Sequence, residues 1–268
     1  TITSTGFTTP PVTNNGINSS SNYVSYSWKA GGAAVSNTDG TITSQVSANP
    51  SAGFSIVEHT GTGVAATVGH GLSSAPELII YKQTSSTAVG KNWVVYASPL
   101  GNTKTIGLNL TGTAVTDSDG WNDTTPTATV FSLGIGDDNY GSQTNVNGSE
   151  NIVYCFHSVA GYSKIGSYSG NGSATGPIIT TGFEPAWVMI KRTDSGLDTG
   201  SAHWAILDNK RDTTNPNDNR LLANLSNAEV LTDTNWAADF NSTSFQIKSA
   251  FGQINASGGT FIYMAFAS

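Results

Sequence analysis

The chain repeats itself, and this repetition limits the possible folds more than any other feature of the sequence. Residues 53–84, GFSIVEHTGTGVAATVGHGLSSAPELIIYKQT, align with residues 162–193, YSKIGSYSGNGSATGPIITTGFEPAWVMIKRT. Residues of matching type recur 109 positions later, as the pairs Gly61 and Gly170, Pro76 and Pro185, and Lys82 and Lys191. Self-similarity of this kind predicts a tandem duplication, in which two successive units share one design.

The alignment continues to the end of the chain, and it defines the predicted domains. Further matched pairs are Trp93 and Trp204, Trp121 and Trp236, and Asn145 and Asn255. An Asn followed by an alternating aromatic run closes each unit, and a similar phrase occurs at 15–30. We therefore predict one repeat at 53–160 and a second at 161–268. Residues 1–52 are predicted to be an N-terminal arm that carries the last strand of a preceding unit, followed by a linker or extended strap at 30–52.

Within each unit, the local pattern is that of short strands. Runs such as ELIIYKQ, WVVYAS and NIVYCFH are rich in β-branched and aromatic residues, and Gly, Asn, Asp and Pro turn signals separate them. No stretch shows a sustained helical period. The sequence therefore predicts an all-β protein of two tandem antiparallel β-sandwich units, jelly-roll-like, with an extended N-terminal arm.

The low charge density argues against two classes of partner. Only 11 % of residues are charged, and the formal net charge is −7. Because nucleic-acid affinity comes mainly from clustered basic residues, we expect no nucleic-acid partner. No apolar run approaches the roughly 20 residues that span a bilayer, so we expect no membrane insertion. The single Cys155 excludes a disulfide framework and is typical of a buried apolar thiol.

One turn carries the candidate metal ligands. The segment TDSDGWND at 116–123 brings together four oxygen-bearing side chains, those of Asp117, Asp119, Asn122 and Asp123. The D-x-D-G spacing is one by which loops gather hard oxygen ligands around calcium, although the acidic residue that ends a twelve-residue calcium loop is missing. Asp-Gly turns also form for backbone reasons alone. Calcium is the one cofactor that the sequence suggests, and a solvated turn is the alternative.

The catalytic residue types form no recognisable constellation. His59, His70, His157 and His203 share no metal-ligand spacing, and no nucleophile elbow of the form G-x-S-x-G occurs. A carboxylate pair for glycoside hydrolysis is not repeated in both units. We therefore predict a protein that is not an enzyme and has no catalytic residues.

The matched tryptophans have two interpretations. Exposed rings among Trp93, Trp121, Trp204 and Trp236 would be able to stack on sugars. Their recurrence at equivalent places in both units favours a role in the core.

Several longer phrases resemble a known family. These are GFSIVEHTGTGVAATVGHGLSSAPELIIYK, the run from YCFHSVAGYSK to IKRTDSG, and INASGGTFIYMAFA. They resemble a duplicated domain of uncharacterised function near the C-termini of large virion proteins of marine bacteriophages and related prophages, often in tail-fibre-like chains. The resemblance runs from about Ser27 to the C-terminus. It implies a structural or adhesive part of a phage particle and supplies no catalytic residues. The acidic stretch GIGDDNYGSQ at 134–143 departs from the family pattern.

The resemblance leads to a favoured function and two alternatives. The favoured hypothesis is a tail-fibre or capsid-surface component on the virion surface, whose loops contact a host glycan or a neighbouring subunit. By analogy with fibres, its partners are copies of itself, as a trimer, and other virion proteins. The first alternative is a subunit of an extracellular filament or sheath, joined when residues 1–27 complete a neighbouring sandwich. The second is a glycan-degrading tailspike.

Overall fold

The regular structure of this chain is almost entirely β-sheet. A computed structural model describes residues 2–3, 6–9, 22–85, 91–136, 143–195 and 202–268. Neighbouring strands of every sheet run antiparallel. The predicted all-β, antiparallel fold class is confirmed.

The N-terminal half is built around one large sheet. Its strands are β1 (Ile2–Thr3), β2 (Gly6–Phe7), β3 (Val35–Asn37), β4 (Ser44–Asn49), β5 (Phe54–Thr60), β6 (Ala66–Gly69), β7 (Leu78–Gln83), β8 (Trp93–Ala97), β9 (Lys104–Gly107), β10 (Val115–Thr116), β11 (Val130–Leu133) and β12 (Glu150–Phe156). Eight of them form a sheet in the order β10-β9-β8-β7-β12-β5-β4-β3. Strands β6 and β11 pair as a small second sheet, and β1 pairs with β2. Short 3-10 turns span Pro50–Ala52 and Ser98–Leu100.

The C-terminal half follows a closely related plan. Its strands are β13 (Ser163–Ser169), β14 (Ile178–Thr180), β15 (Trp187–Arg192), β16 (Trp204–Asp208), β17 (Leu221–Leu222), β18 (Ala238–Asn241), β19 (Ser244–Ile247) and β20 (Thr260–Phe266). The larger sheet has the order β13-β20-β15-β16-β17, and the smaller has the order β14-β19-β18. A 3-10 turn, Thr234–Trp236, and one helical turn, α1 (Gly252–Asn255), lie between strands.

Five strands follow the same order in both large sheets. The run β9-β8-β7-β12-β5 of the first half matches the run β17-β16-β15-β20-β13 of the second. Each run lies within one of the two predicted repeats, 53–160 and 161–268. The boundaries themselves stay predictions.

Three hydrophobic clusters hold these layers together. In the first half, Val68 and Phe131 of the small sheet pack with Val57 and Val153 of the large sheet. An equivalent cluster lies between the two sheets of the second half. A third cluster joins the outer faces of the two large sheets, where side chains such as Phe156 meet partners across the junction. Each half is therefore arranged as a sandwich, and the two sandwiches share a core.

The N-terminal segment differs from its predicted form. Residues 35–37 and 44–49, in the stretch expected to be a linker or strap, form β3 and β4 and extend the large sheet. Residues 22–30, expected to continue a terminal strand, are not in a strand. The physical reason is that Tyr26 and Trp28 pack into the core shared by the two halves. Residues 15–21 of that predicted strand, and Asp137 and Asp138 of the acidic stretch, lie outside the described residues.

Candidate binding groove

The recurring Asn of each half acts as a buried clamp. Asn145 is fully buried, and its Nδ2 donates to the carbonyl oxygens of Val64 at 2.7 Å and Gly134 at 2.8 Å. Its Oδ1 accepts from the backbone N–H of Thr62 at 2.8 Å. One side chain therefore ties together three loops at one end of the sandwich, because it satisfies their buried backbone groups.

The second half repeats this clamp. Asn255 is fully buried, and its Nδ2 donates to the carbonyl oxygens of Ser249 at 2.7 Å and Ser173 at 2.8 Å. Its Oδ1 accepts from the backbone N–H of Asn171 at 2.8 Å. The Asn-plus-aromatic phrase thus marks a loop clamp followed by a buried strand, and the role of the Asn is structural.

The candidate calcium ligands lie in a turn that hydrogen bonds to one of them, Asp117, help to stabilise. Oδ1 of Asp117 accepts from the backbone N–H groups of Asp119 at 3.2 Å and Gly120 at 3.3 Å. Burial raises the pKa of the Asp117 carboxyl above its ordinary value. Asn122 and Asp123 adopt positive φ angles of 50° and 45°, which Asn and Asp tolerate better than most residues.

Metal binding at this turn stays a prediction. Within the described ranges, no group of three or more His, Cys, Asp or Glu side chains is placed to hold a metal ion. The backbone-facing Asp117 oxygen is engaged in the turn, so a cation would have to compete with those N–H donors.

The thiol and three of the four histidines are buried, and His203 is partly buried. Cys155 is fully buried, and burial raises the pKa of its thiol far above the ordinary value. Burial lowers the pKa of His59 to about 4, and Nε2 of this imidazole lies 3.1 Å from the hydroxyl oxygen of Tyr81. Burial also lowers the pKa of His70, whose Nδ1 accepts from the backbone N–H of Leu72 at 3.1 Å. The two imidazoles therefore serve as hydrogen-bonding partners in the core.

The four matched tryptophans divide into two groups. Trp121, Trp204 and Trp236 are buried, with 1 %, 2 % and 4 % of their surface exposed. Trp93 is only partly buried. The core interpretation fits the first three, whereas Trp93 lies on a more open surface.

Trp93 lies on the outer face of the eight-stranded sheet, where the exposed fraction of the side chains increases from one cross-strand row to the next. The register of the strands defines three cross-strand rows on this face: Asn49–Phe54–Phe156–Leu78–Ala97, then Ser47–Ile56–Tyr154–Ile80–Val95, and then Gln45–Glu58–Ile152–Lys82–Trp93. The first row is largely buried beneath the second half of the chain, the middle row is partly buried, and the third is the most exposed. The shared core therefore opens gradually into a surface groove.

This groove has an aromatic wall. The rings of Trp93 and Tyr154 stack with their centroids 6.4 Å apart, and the ammonium of Lys82 lies 5.8 Å from the ring centroid of Trp93. A cavity of about 380 Å³ lies here, bounded on its other side by residues of the second half that include Met189 and Ala223. Burial raises the pKa of the Tyr154 hydroxyl and lowers that of the Lys82 ammonium. The surface is thus apolar at its floor and cationic beside Trp93.

The segment 22–34 closes one side of the groove. Trp28 makes edge-on contacts with Phe156, Trp187 and Phe266, at centroid distances of 5.6 to 6.1 Å. The hydroxyl of Tyr26 donates to Oδ2 of Asp208 at 2.8 Å. The segment therefore contacts both halves at once. We call residues 22–34 the strap, and they overlap only in part with the linker or strap predicted at 30–52.

Lys191 and Trp204 repeat the Lys82 and Trp93 pair in the second half. In each half the lysine lies opposite the tryptophan of the neighbouring strand, on β7 and β8 in the first half and on β15 and β16 in the second. Nζ of Lys191 lies 5.6 Å from the ring centroid of Trp204. The second pair is buried, because residues 107–114 of the first half lie across it. The first pair is partly open.

Sequence reasoning missed the groove but contained one signal for it. The alignment matched Lys82 with Lys191 and Trp93 with Trp204, which indicated a repeated pair. It could not indicate that one copy is covered and the other open, because the cover comes from a different half of the chain. Tyr154, which stacks on Trp93, was interpreted only as part of an alternating strand.

No helix among the described residues is long and apolar enough to cross a membrane.

Comparisons with known proteins identify a family and no individual relative. No curated protein and no solved structure matches the chain. A family model described as "Domain of unknown function (DUF7483)" matches residues 1–268, and the chain therefore belongs to that family.

Proposed function

We propose that this chain is a non-enzymatic structural or adhesive protein, a rigid component of a bacteriophage particle. The observation that supports this proposal most directly is the core shared between the two large sheets, into which the strap inserts Trp28. A shared apolar core restricts movement between two sandwiches, because separating them would expose its aromatic side chains to water. Such a body holds its loops and its groove in fixed positions, as a protein that works by contact requires.

The resemblance to virion proteins supports the placement in a phage particle. In that setting the chain is a tail-fibre or capsid-surface component on the virion surface, with copies of itself and other virion proteins as neighbours. A tandem duplication accounts for the matching strand orders of the two halves. Host glycans and neighbouring subunits are the two kinds of contact that this role includes.

Particle fractionation tests this function. Virions from a lysed culture are separated on a density gradient, and the chain is followed by peptide mass spectrometry and by an antibody. We expect the chain to band with the particles, and gold-labelled antibody to mark one position on them. A chain found only in the soluble cell fraction would remove the phage assignment.

The open edges of the sheets favour a second candidate function, a filament subunit. Among the described residues, β3 and β13 each have a strand on one side only. Open edges can accept a strand from another molecule. In β13, the backbone N–H of Ile165 donates to Oγ of Ser158, so Ser167, two residues on, also directs its N–H away from β20.

Light scattering separates this second candidate from the first. A filament subunit polymerises as its concentration rises, and Ser167→Pro, which removes one outward N–H, should prevent this while the ladder to β20 survives. Intact chain that stays at one size over a hundredfold concentration range would exclude the filament.

A further inference from the structure

The buried lysine and tryptophan of the second half show what such a pair binds. Nε1 of Trp204 donates to the carbonyl oxygen of Gly107 at 2.8 Å, and Nζ of Lys191 donates to that of Leu110 at 3.2 Å. Both acceptors belong to the segment 107–114 of the first half. Residues 108–109 form a turn, in which the N–H of Leu110 donates to the carbonyl oxygen of Gly107 at 3.4 Å. The pair therefore holds a polypeptide turn through the carbonyl oxygens of its first and last residues.

The first half carries the same donors in the same arrangement. Nζ of Lys82 donates to the carbonyl oxygen of Lys91 at 2.6 Å, just as Nζ of Lys191 donates to that of Ala202. An ammonium has three N–H donors, so Lys82 keeps further capacity. Among the described residues, the indole N–H of Trp93 makes no hydrogen bond, and Nζ of Lys82 makes none besides the one to Lys91.

We propose that this groove binds a polypeptide turn of a neighbouring protein. Two carbonyl oxygens of this turn accept hydrogen bonds from Nε1 of Trp93 and Nζ of Lys82. The inference deepens the proposed structural role, and rests on it, by assigning one subunit contact to a defined surface.

The hydrogen-bonding pattern distinguishes a polypeptide from a sugar. The counterpart pair binds two backbone carbonyl groups through the indole N–H and the ammonium, whereas a sugar ring would stack on the face of the indole. The 107–114 segment of a second copy is not the partner, because the carbonyl oxygens of Gly107 and Leu110 in each copy already bind its own second half. We therefore assign the groove to a turn of a different protein.

A peptide that copies the internal segment tests the proposal. The probe is TIGLNLTGTA, residues 105–114, titrated into the full-length chain by calorimetry, with a scrambled peptide as its control. We expect saturable binding of the copied peptide alone. Trp93→Phe keeps an aromatic ring but removes the N–H, and should weaken binding about tenfold, as should Lys82→Met. Leu231→Ala, at a residue that is 62 % exposed in the second half, is the matched control and should bind as the intact chain does.

Each alternative result contradicts the proposal. Absence of binding by the intact, folded chain overturns the proposal. It is also overturned if Trp93→Phe and Lys82→Met bind the peptide as tightly as the intact chain does. Polysaccharide binding that Trp93→Phe retains and Trp93→Ala loses would assign the groove to sugars instead. A self-association that Trp93→Phe abolishes would make the partner a second copy. Thermal unfolding of each variant shows that it is folded.

This outcome is independent of particle fractionation. A chain that bands with virions but does not bind the peptide fails the groove proposal alone. A chain that binds the peptide but is absent from virions fails the phage assignment alone.

Discussion

The ammonium group of Lys191 lies over the ring of Trp204, 5.6 Å from its centroid, on a side chain with no exposed surface. The carbonyl oxygens of Leu110 and Ala202 accept its hydrogen bonds. These dipoles and the indole face replace part of the water that a cation loses on burial. Burial nevertheless lowers the pKa of Lys191 to about 7.

This burial predicts that the chain becomes more stable as the pH rises from 7 to 8.5. In the unfolded chain Lys191 keeps its ordinary pKa of 10.5 and stays protonated over this range, whereas the folded chain releases the proton. The unfolded state then binds more protons, so the free energy of unfolding rises with pH by up to about 1.4 kcal/mol per unit. Urea denaturation at several pH values measures this slope.

The matched variant for this test is Lys191→Met, which keeps a long unbranched side chain without the charge. We expect its unfolding free energy to depend less on pH between 7 and 8.5 than that of the intact chain. Parallel slopes for the two proteins would show that Lys191 stays charged in the folded state. Measurements stop at pH 8.5 because Cys155, with an ordinary pKa of 9.0, begins to contribute above it.

His59 predicts a loss of stability in acid. Burial lowers its folded pKa to about 4, so between pH 6.5 and 4 the unfolded chain takes up a proton that the folded chain does not. The free energy of unfolding should therefore fall over this range, by on the order of 2–3 kcal/mol from this one group. The measurement is denaturation of the intact chain and of His59→Gln at pH 7 and 4.5. The difference between the two proteins should shrink at the lower pH, and a constant difference would exclude this role for His59.

The two Asn clamps predict large and similar losses of stability. Asn145→Ala and Asn255→Ala each leave buried backbone groups without partners, which should cost about 2–4 kcal/mol. Asn147→Ala, at an exposed position in the same loop as the first clamp, should change stability by no more than about 0.5 kcal/mol. Chemical denaturation compares the three, and clamp variants as stable as the control would refute the clamp.

The strap predicts that its tryptophan stabilises the junction of the two halves. Trp28→Ala removes edge-on contacts with Phe156, Trp187 and Phe266, and should cost about 3 kcal/mol. Val24→Ala removes an apolar side chain that is 45 % exposed on the same segment, and should have little effect. Differential scanning calorimetry measures this loss of stability. It also shows whether the two halves of the Trp28→Ala variant unfold in separate steps. A single transition at an unchanged temperature would contradict the role of Trp28.

The groove illustrates where prediction from sequence stops. The alignment paired Lys82 with Lys191 and Trp93 with Trp204, and these pairs lie at matching strand positions. It assigned one role to both tryptophans, although one is buried and the other partly open. The two differ because residues 107–114 cross the second pair, a long-range contact that leaves no periodic signal in the sequence.

The sequence by itself determined the antiparallel all-β class and many of the strands and turns, because these depend on local preferences and on alternation along a few residues. Only the tertiary structure decided how the halves meet. In β20, alternation predicts one buried face, yet both faces are buried because the outer face packs against the first half. Residues 22–30 lie outside any strand for a similar reason, since burial of Tyr26 and Trp28 in the shared core outweighs strand pairing. Burial between distant segments depends on the assembled shape, and local sequence patterns do not encode it.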